Sequence, residues 1–232
     1  MECWIKISVA LGLLLSTPVL AKAEDFPSIC FGTPAQGRLE NGQRLPPFGK
    51  NFTSYSWVGW ALGRTAVHSR VNEVVVATYR KLGEALPEKT YVFGETGWPQ
   101  GGLFRPHKTH QNGLSADFMV PVFDSDGKSV PLPTNIFNKW GYGIEFDSNG
   151  KYKNLTIDFE SLAAHLYYLD QVAKAQGIKM RRVIFDPPLL QRLYSTRYGP
   201  YLSKNVSFSK ARPWVRHDEH YHVDFDLPCR PL

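Results

Sequence analysis

Two short stretches of the chain hold side chains able to bind a metal and move protons. The first reads His107-Lys-Thr-His110-Gln-Asn-Gly-Leu-Ser-Ala-Asp117, and the second reads His217-Asp-Glu-His220-Tyr-His222. Together they contain five of the seven histidines. Two imidazoles and a carboxylate are a usual protein ligand set for a catalytic zinc, which keeps one further position open. The chemistry this supports is metal-dependent hydrolysis, provided the fold brings the two stretches together.

Spacing says how each stretch must be held. From His220 the chain alternates polar and apolar residues to Leu227. A strand period of two puts His220, His222, Asp224 and Asp226 on one face, with Tyr221, Val223, Phe225 and Leu227 toward the core. Same-face neighbours on a strand lie about 7 Å apart, so both imidazoles can address one small site, one as ligand and one beside the attacking water. His110 and Asp117 are seven residues apart, which is wrong for neighbours on a helix face. That interval suits a loop that turns at Gly113 and hands over to a strand starting near Asp117. No His-Glu-x-x-His helix is present, and Glu219 alternates away from His220. The proton-handling groups are therefore sought among histidines that do not bind the metal, His220 and His217.

The elements that must position these residues follow from periodicity and turn chemistry. Residues 24–60 are rich in Pro, Gly, Asn and aromatics and read as an irregular arm. A helix is expected over 65–85, where Val67, Val71, Val74, Tyr79 and Leu82 recur at helical steps. Strands are expected at Thr90–Phe93, Ser115–Val122, Lys179–Phe185 and Val215–Leu227. A second long helix runs from about Asp158 to Gln176 and ends at Gly177. Pro187–Tyr194 reads as a short helix, and residues 195–213 as loop. Asp126-Gly127 and Asn149-Gly150 mark hairpin-like turns. This order predicts one α+β domain, a small and mainly antiparallel sheet flanked by helices and long loops.

Residues 1–23 have the pattern of a signal peptide: Lys6, an apolar run from Val9 to Leu15, and a small-x-small site at Ala21-Lys22-Ala23. The expected mature domain is 24–232, and it has no further apolar run of membrane length. Cys3 leaves with the leader. Cys30 and Cys229 remain, and an even pair in an exported protein predicts a disulfide worth roughly 4–5 kcal/mol by loop closure. The net charge of +6 suits an anionic polymer such as cell wall. Nucleic acid is not an expected partner, because the chain has no basic helix and no interleaving of aromatics with Lys and Arg.

At the two histidine stretches the chain resembles the penicillin-insensitive murein endopeptidases. These are zinc peptidases that share a core with D-Ala-D-Ala dipeptidases, lysostaphin-type enzymes and the hedgehog domain. The resemblance is carried by His107, His110, Gly113-Leu114 and Asp117, then by Arg212-Pro213-Trp214 with His217, His220 and His222. Gly97 to Gly102 and Val183 to Pro187 match in kind, and the similarity runs from about residue 60 to 229. It implies zinc as cofactor, with His110, Asp117 and His222 as its ligands. It also implies His220 as the catalytic group, His217 assisting, and His107 as a supporting site residue. The implied activity is hydrolysis of D-alanyl–diaminopimelyl cross-links of peptidoglycan in the periplasm. Asp224 and Asp226 stand where the resemblance leads one to expect basic residues.

Two rival functions fit the same residues. One is a zinc D,D-carboxypeptidase or dipeptidase acting on uncross-linked stem peptides. The other is a non-catalytic zinc module that binds wall, which the presence of both His217 and His220 disfavours. His68 and His165 are expected to be structural. Asp224 and Asp226 are expected to be plain polar-face residues, and Trp98, Trp214 and Tyr221 to pack in the core. Gly97–Gly102 lacks the Gly-Lys-Ser/Thr ending of a phosphate cradle and reads as a loop shaping the cleft.

Overall fold

The computed structural model describes Met1, residues 26–210 and residues 215–232. The signal-peptide reading and the Arg212-Pro213-Trp214 segment lie outside the described residues. The chain forms one α+β domain built on a five-stranded sheet.

The expected irregular arm is instead ordered structure. Strands β1 (Ile29–Thr33) and β2 (Gln36–Glu40) pair as a hairpin, and β3 (Gln43–Arg44) pairs with β5 (Ala66–Val67). Strand β4 (Phe52–Ser54) joins the edge of the main sheet, and a short helix α1 (Trp57–Ala61) follows, capped by Ser56. These strands are too short, and the stretch that holds them too rich in Gly and Pro, to show a sustained period, so tertiary pairing decides them.

Helix α2 (Ser69–Ala85) begins four residues later than its apolar pattern suggests. Val67 belongs to β5, and His68 caps the helix, its Nδ1 accepting from Arg70 N at 3.2 Å. Helix α3 (Phe159–Ala175) is capped by Asp158, whose carboxylate accepts from Ser161 N at 3.0 Å. Gly177, at φ +68°, lets the chain turn off its end. Leu162, Leu166, Leu169 and Val172 are all buried, as their spacing requires.

The main sheet has the order β12 (Lys179–Ile184), β13 (His220–Asp226), β7 (Ser115–Met119), β6 (Tyr91–Phe93), β4. All its pairs are antiparallel except β4 with β6. The last strand starts at His220, not Val215. A second, four-stranded sheet is made by β8 (Val122–Phe123), β9 (Ser129–Val130), β10 (Lys151–Tyr152) and β11 (Leu155–Ile157). A 3-10 turn at Pro187–Leu189 leads into helix α4 (Leu190–Tyr194). The stretch expected to be loop contains helix α5 (Gly199–Asn205), opened by Pro200.

One face of the main sheet carries the core. Phe118 and Tyr221 pack against His165 of α3, which also touches Tyr79 and Tyr91. Tyr221 hydroxyl lies 2.8 Å from His165 Nδ1. Burial alone pushes the His165 pKa down from 6.5 to about 3. Its folded value lies below its unfolded one, so its stabilising contribution is intact above pH 6.5 and is lost as pH falls from 6.5 toward 3. Chelated protein should therefore lose roughly 1.4 kcal/mol of stability per pH unit across that window from this residue alone. Denaturant melts at pH 7 and pH 4.5 check this, and equal stability at both would refute it.

Cys30 and Cys229 form the expected disulfide. It ties β1 to the segment after β13, where Arg230 N also donates to Cys30 O at 2.9 Å.

Candidate active site

The two histidine stretches meet because β7 and β13 are antiparallel neighbours. Asp117 and His222 are register partners, and the pair His220–Met119 lies two residues along. Cross-strand partners project to the same face, so the Asp117 carboxylate and the His222 ring emerge side by side. His222 Nδ1 lies 2.9 Å from Asp117 Oδ1.

His110 reaches the same point from the loop before β7. Its backbone is left-handed at φ +68°, a strained state for a non-glycine residue. Two glycines make room for this arrangement. A Cβ on Gly97 would lie 2.6 Å from the His110 carbonyl, and one on Gly94 would lie 2.6 Å from the Tyr142 hydroxyl. The loop they open is backed by β2, with Leu39 N donating to Gln100 O at 2.9 Å. His110 Nδ1 donates to Thr96 O at 3.1 Å, which leaves a lone pair on Nε2. That Nε2 is fully buried and has no hydrogen-bond partner, although it lies 3.2 Å from Asp117 Oδ1.

Asp117 is completely buried and faces different groups with its two oxygens. Oδ1 faces His110 and His222. Oδ2 accepts from Tyr142 hydroxyl at 3.1 Å and lies 3.8 Å from both His107 Nδ1 and His220 Nε2. Burial would raise its pKa, but the charges of His110 and His220 and the hydrogen bond from His222 hold it well below the usual carboxylate range. His222 is also buried, which alone would lower its pKa. Asp224 and Asp117 outweigh that and raise it to about 9. The point between these side chains thus favours positive charge.

A bare buried imidazole lone pair beside a carboxylate oxygen and a second imidazole is the donor set a divalent metal takes. The ligand atoms of His107, His110 and Asp117 lie within 4.8 Å of one another, and His222 brings Nδ1 to the same carboxylate. The two possible sets share His110 and Asp117 and differ in the third member. His222 is the more buried and makes the shorter approach, whereas His107 gives its Nε2 to Glu95 at 2.6 Å.

The remaining histidines line the cleft beside this point. His220 Nδ1 lies 2.8 Å from Glu219 Oε1. Glu219 does not face away from His220 as alternation suggests, because it precedes the first residue of β13 and the strand period does not apply to it. His217 stands 4.5 Å from His220, ring to ring, and its Nδ1 donates to Val215 O at 2.9 Å. Burial, aided by His220, pushes the His217 pKa down to about 3.

Four further residues were not legible as site residues. Glu95 binds His107, Arg64 and the Tyr55 hydroxyl, and despite burial its pKa falls to about 2 because His107 and Arg64 hydrogen-bond it. Tyr142 bridges Glu95 N and Asp117. It sits in a segment of the chain with no motif of its own. Glu219 was misassigned by strand phase. Asp224 is not a plain polar-face residue: it is buried and bonds His222 Nε2 at 2.8 Å, while Asp226 is exposed. Strand alternation already placed Asp224 on the His222 face. Tyr221 packs in the core as expected.

The site opens into a cleft of about 830 Å³, walled by Tyr55, Lys139, Trp140, Tyr142, Arg182 and Arg216 among others. The family model of the penicillin-insensitive murein endopeptidases matches residues 30–231. The chain belongs to that family. No curated protein matches the chain. As a member of the murein endopeptidase family the protein is a peptidoglycan hydrolase. The match starts at residue 30 rather than near 60, consistent with β1 and β2 forming part of the domain. Among the described residues of this murein endopeptidase-family protein, no helix is long and apolar enough to cross a membrane.

Proposed function

We propose that the protein is an exported zinc metallo-endopeptidase that hydrolyses D-alanyl–diaminopimelyl cross-links of peptidoglycan in the periplasm, after removal of residues 1–23. The observation that carries this reading is the partnerless buried Nε2 of His110 beside Asp117 Oδ1, with His222 Nδ1 on the same oxygen.

His110, Asp117 and His222 would hold the zinc. Zinc, when bound, supplies Lewis-acid polarisation of the scissile carbonyl and makes water acidic enough to attack near neutral pH. His220 manages the proton. Glu219 accepts its Nδ1–H, so Nε2 takes the proton of the attacking water and passes it to the leaving amine of the diaminopimelyl residue. His217, kept neutral by burial, packs on His220 without adding a competing positive charge. Tyr142 holds the second oxygen of Asp117 in place, and Glu95 anchors His107 beside it.

The test is mass spectrometry of muropeptides after digestion by zinc-loaded and by chelated protein. Conversion of cross-linked dimers to monomers, lost on chelation and regained with zinc, is the expected result. Free D-Ala released from a monomeric pentapeptide, with the dimer intact, would replace this reading with a carboxypeptidase. Zinc content without turnover of either would replace it with a wall-binding module.

A further inference from the structure

His110 and His222 are held from behind by unlike acceptors. His110 donates to the neutral carbonyl of Thr96. His222 has a carboxylate behind it, Asp224, whose Oδ1 lies 2.8 Å from Nε2. Asp224 is itself enclosed. Ser115 Oγ donates to Oδ1 at 2.7 Å, and Arg182 Nε donates to Oδ2 at 3.0 Å. These contacts follow from register: Arg182, Asp224 and Ser115 are partners across β12, β13 and β7, two residues along the strands from Asp117 and His222 and on the same face. A buried carboxylate with both oxygens bonded has little freedom to turn, and its acceptor geometry is fixed toward the imidazole.

A histidine can present only one nitrogen lone pair when its other nitrogen carries the proton. We infer that Asp224 is a positioning residue for the metal site, fixing His222 as the tautomer that donates from Nε2 and presents Nδ1 beside Asp117, and thereby setting the metal affinity of the chain. Arg182 clamps the far oxygen and offsets the charge of Asp224, so the carboxylate stays buried beside Asp117 without a net surplus of negative charge. The inference rests on the metal site proposed above.

The experiment measures zinc affinity of the full chain by competition with a chromophoric chelator, for wild type, D224N, D224A, R182M and H222A. A carboxylate that accepts the far N–H of a metal-binding histidine typically accounts for about 10–100-fold in metal affinity. D224N and D224A should weaken zinc binding by that factor, and R182M, which leaves the Oδ1 contact in place, should weaken it less. Long-range 1H–15N spectra of the zinc-loaded proteins give an independent readout. His222 should carry its proton on Nε2 in wild type, with that signal shifted or exchange-broadened in D224A. D224N keeps the volume of Asp224, so it reports even if D224A does not fold. Zinc affinity in D224N within about twofold of wild type, with an unchanged 15N pattern, would overturn the inference. Undiminished zinc binding by H222A would instead overturn the metal site itself.

Discussion

His220→Ala should lower kcat on cross-linked muropeptides by about 10²–10⁴-fold while leaving zinc content unchanged, whereas His222→Ala should lose both. The two residues are separated by one position and share a strand face, so the contrast tests the division of labour directly. His222 has its two nitrogens committed to Asp117 and Asp224, and its removal leaves Asp117 Oδ1 facing His110 alone. His220 makes its short contact to Glu219 instead and stays 3.8 Å from Asp117 Oδ2. A proton carrier contributes to the transition state and not to metal retention, so kcat should fall with KM little changed. Metal analysis beside steady-state kinetics decides. Loss of zinc in His220→Ala would make His220 a ligand, and full activity in either variant would remove the site from consideration.

Replacing both Cys30 and Cys229 with serine should cost about 5 kcal/mol of stability by loop-closure entropy. The bridge spans a sequence separation of 199. A cross-link of that span removes a large set of unfolded conformations, and the main-chain bonds between Cys30, Gly32 and Arg230 keep the native geometry without it. For a domain of this size the melting temperature should fall by about 10–20 °C. The folded variant should retain its kcat, since neither cysteine touches the cleft. Calorimetry of the double variant and of reduced wild type should agree. A shift under 2 °C in both would refute the loop-closure account, with the threshold set by the roughly 2–4 °C expected per kcal/mol.

The sequence made the meeting of the two histidine stretches legible through one strand period and one helix exclusion. Alternation from His220 to Leu227 put His222 and Asp224 on a common face, and the seven-residue interval from His110 to Asp117 pointed to a loop entering a strand. Long helices were legible because α2 and α3 each bury an apolar stripe. The hairpin β1–β2, the edge strand β4 and helix α5 were not, because each is short and is stabilised by what it packs against. Glu95 and Tyr142 were invisible for a different reason. Each acts through contacts across the fold, and no local pattern records a partner 12 or 25 residues away. Asp224 was visible in position but not in role, since a polar residue on a strand face reads the same whether it meets water or an imidazole.

The register of β7 with β13 also carries a consequence for how the enzyme comes into being. Asp117 and His222 are 105 residues apart in the chain, and β13 follows every other strand. During synthesis and folding, the first donor cluster waits on the arrival of a distant strand. That pairing is non-local and slow by the usual relation of topology to folding rate. A nascent chain that stops short of β13 has His110 and Asp117 but lacks His222, His220 and Glu219. The wall-cutting apparatus is therefore withheld from every incomplete chain by topology alone, with no inhibitory segment required.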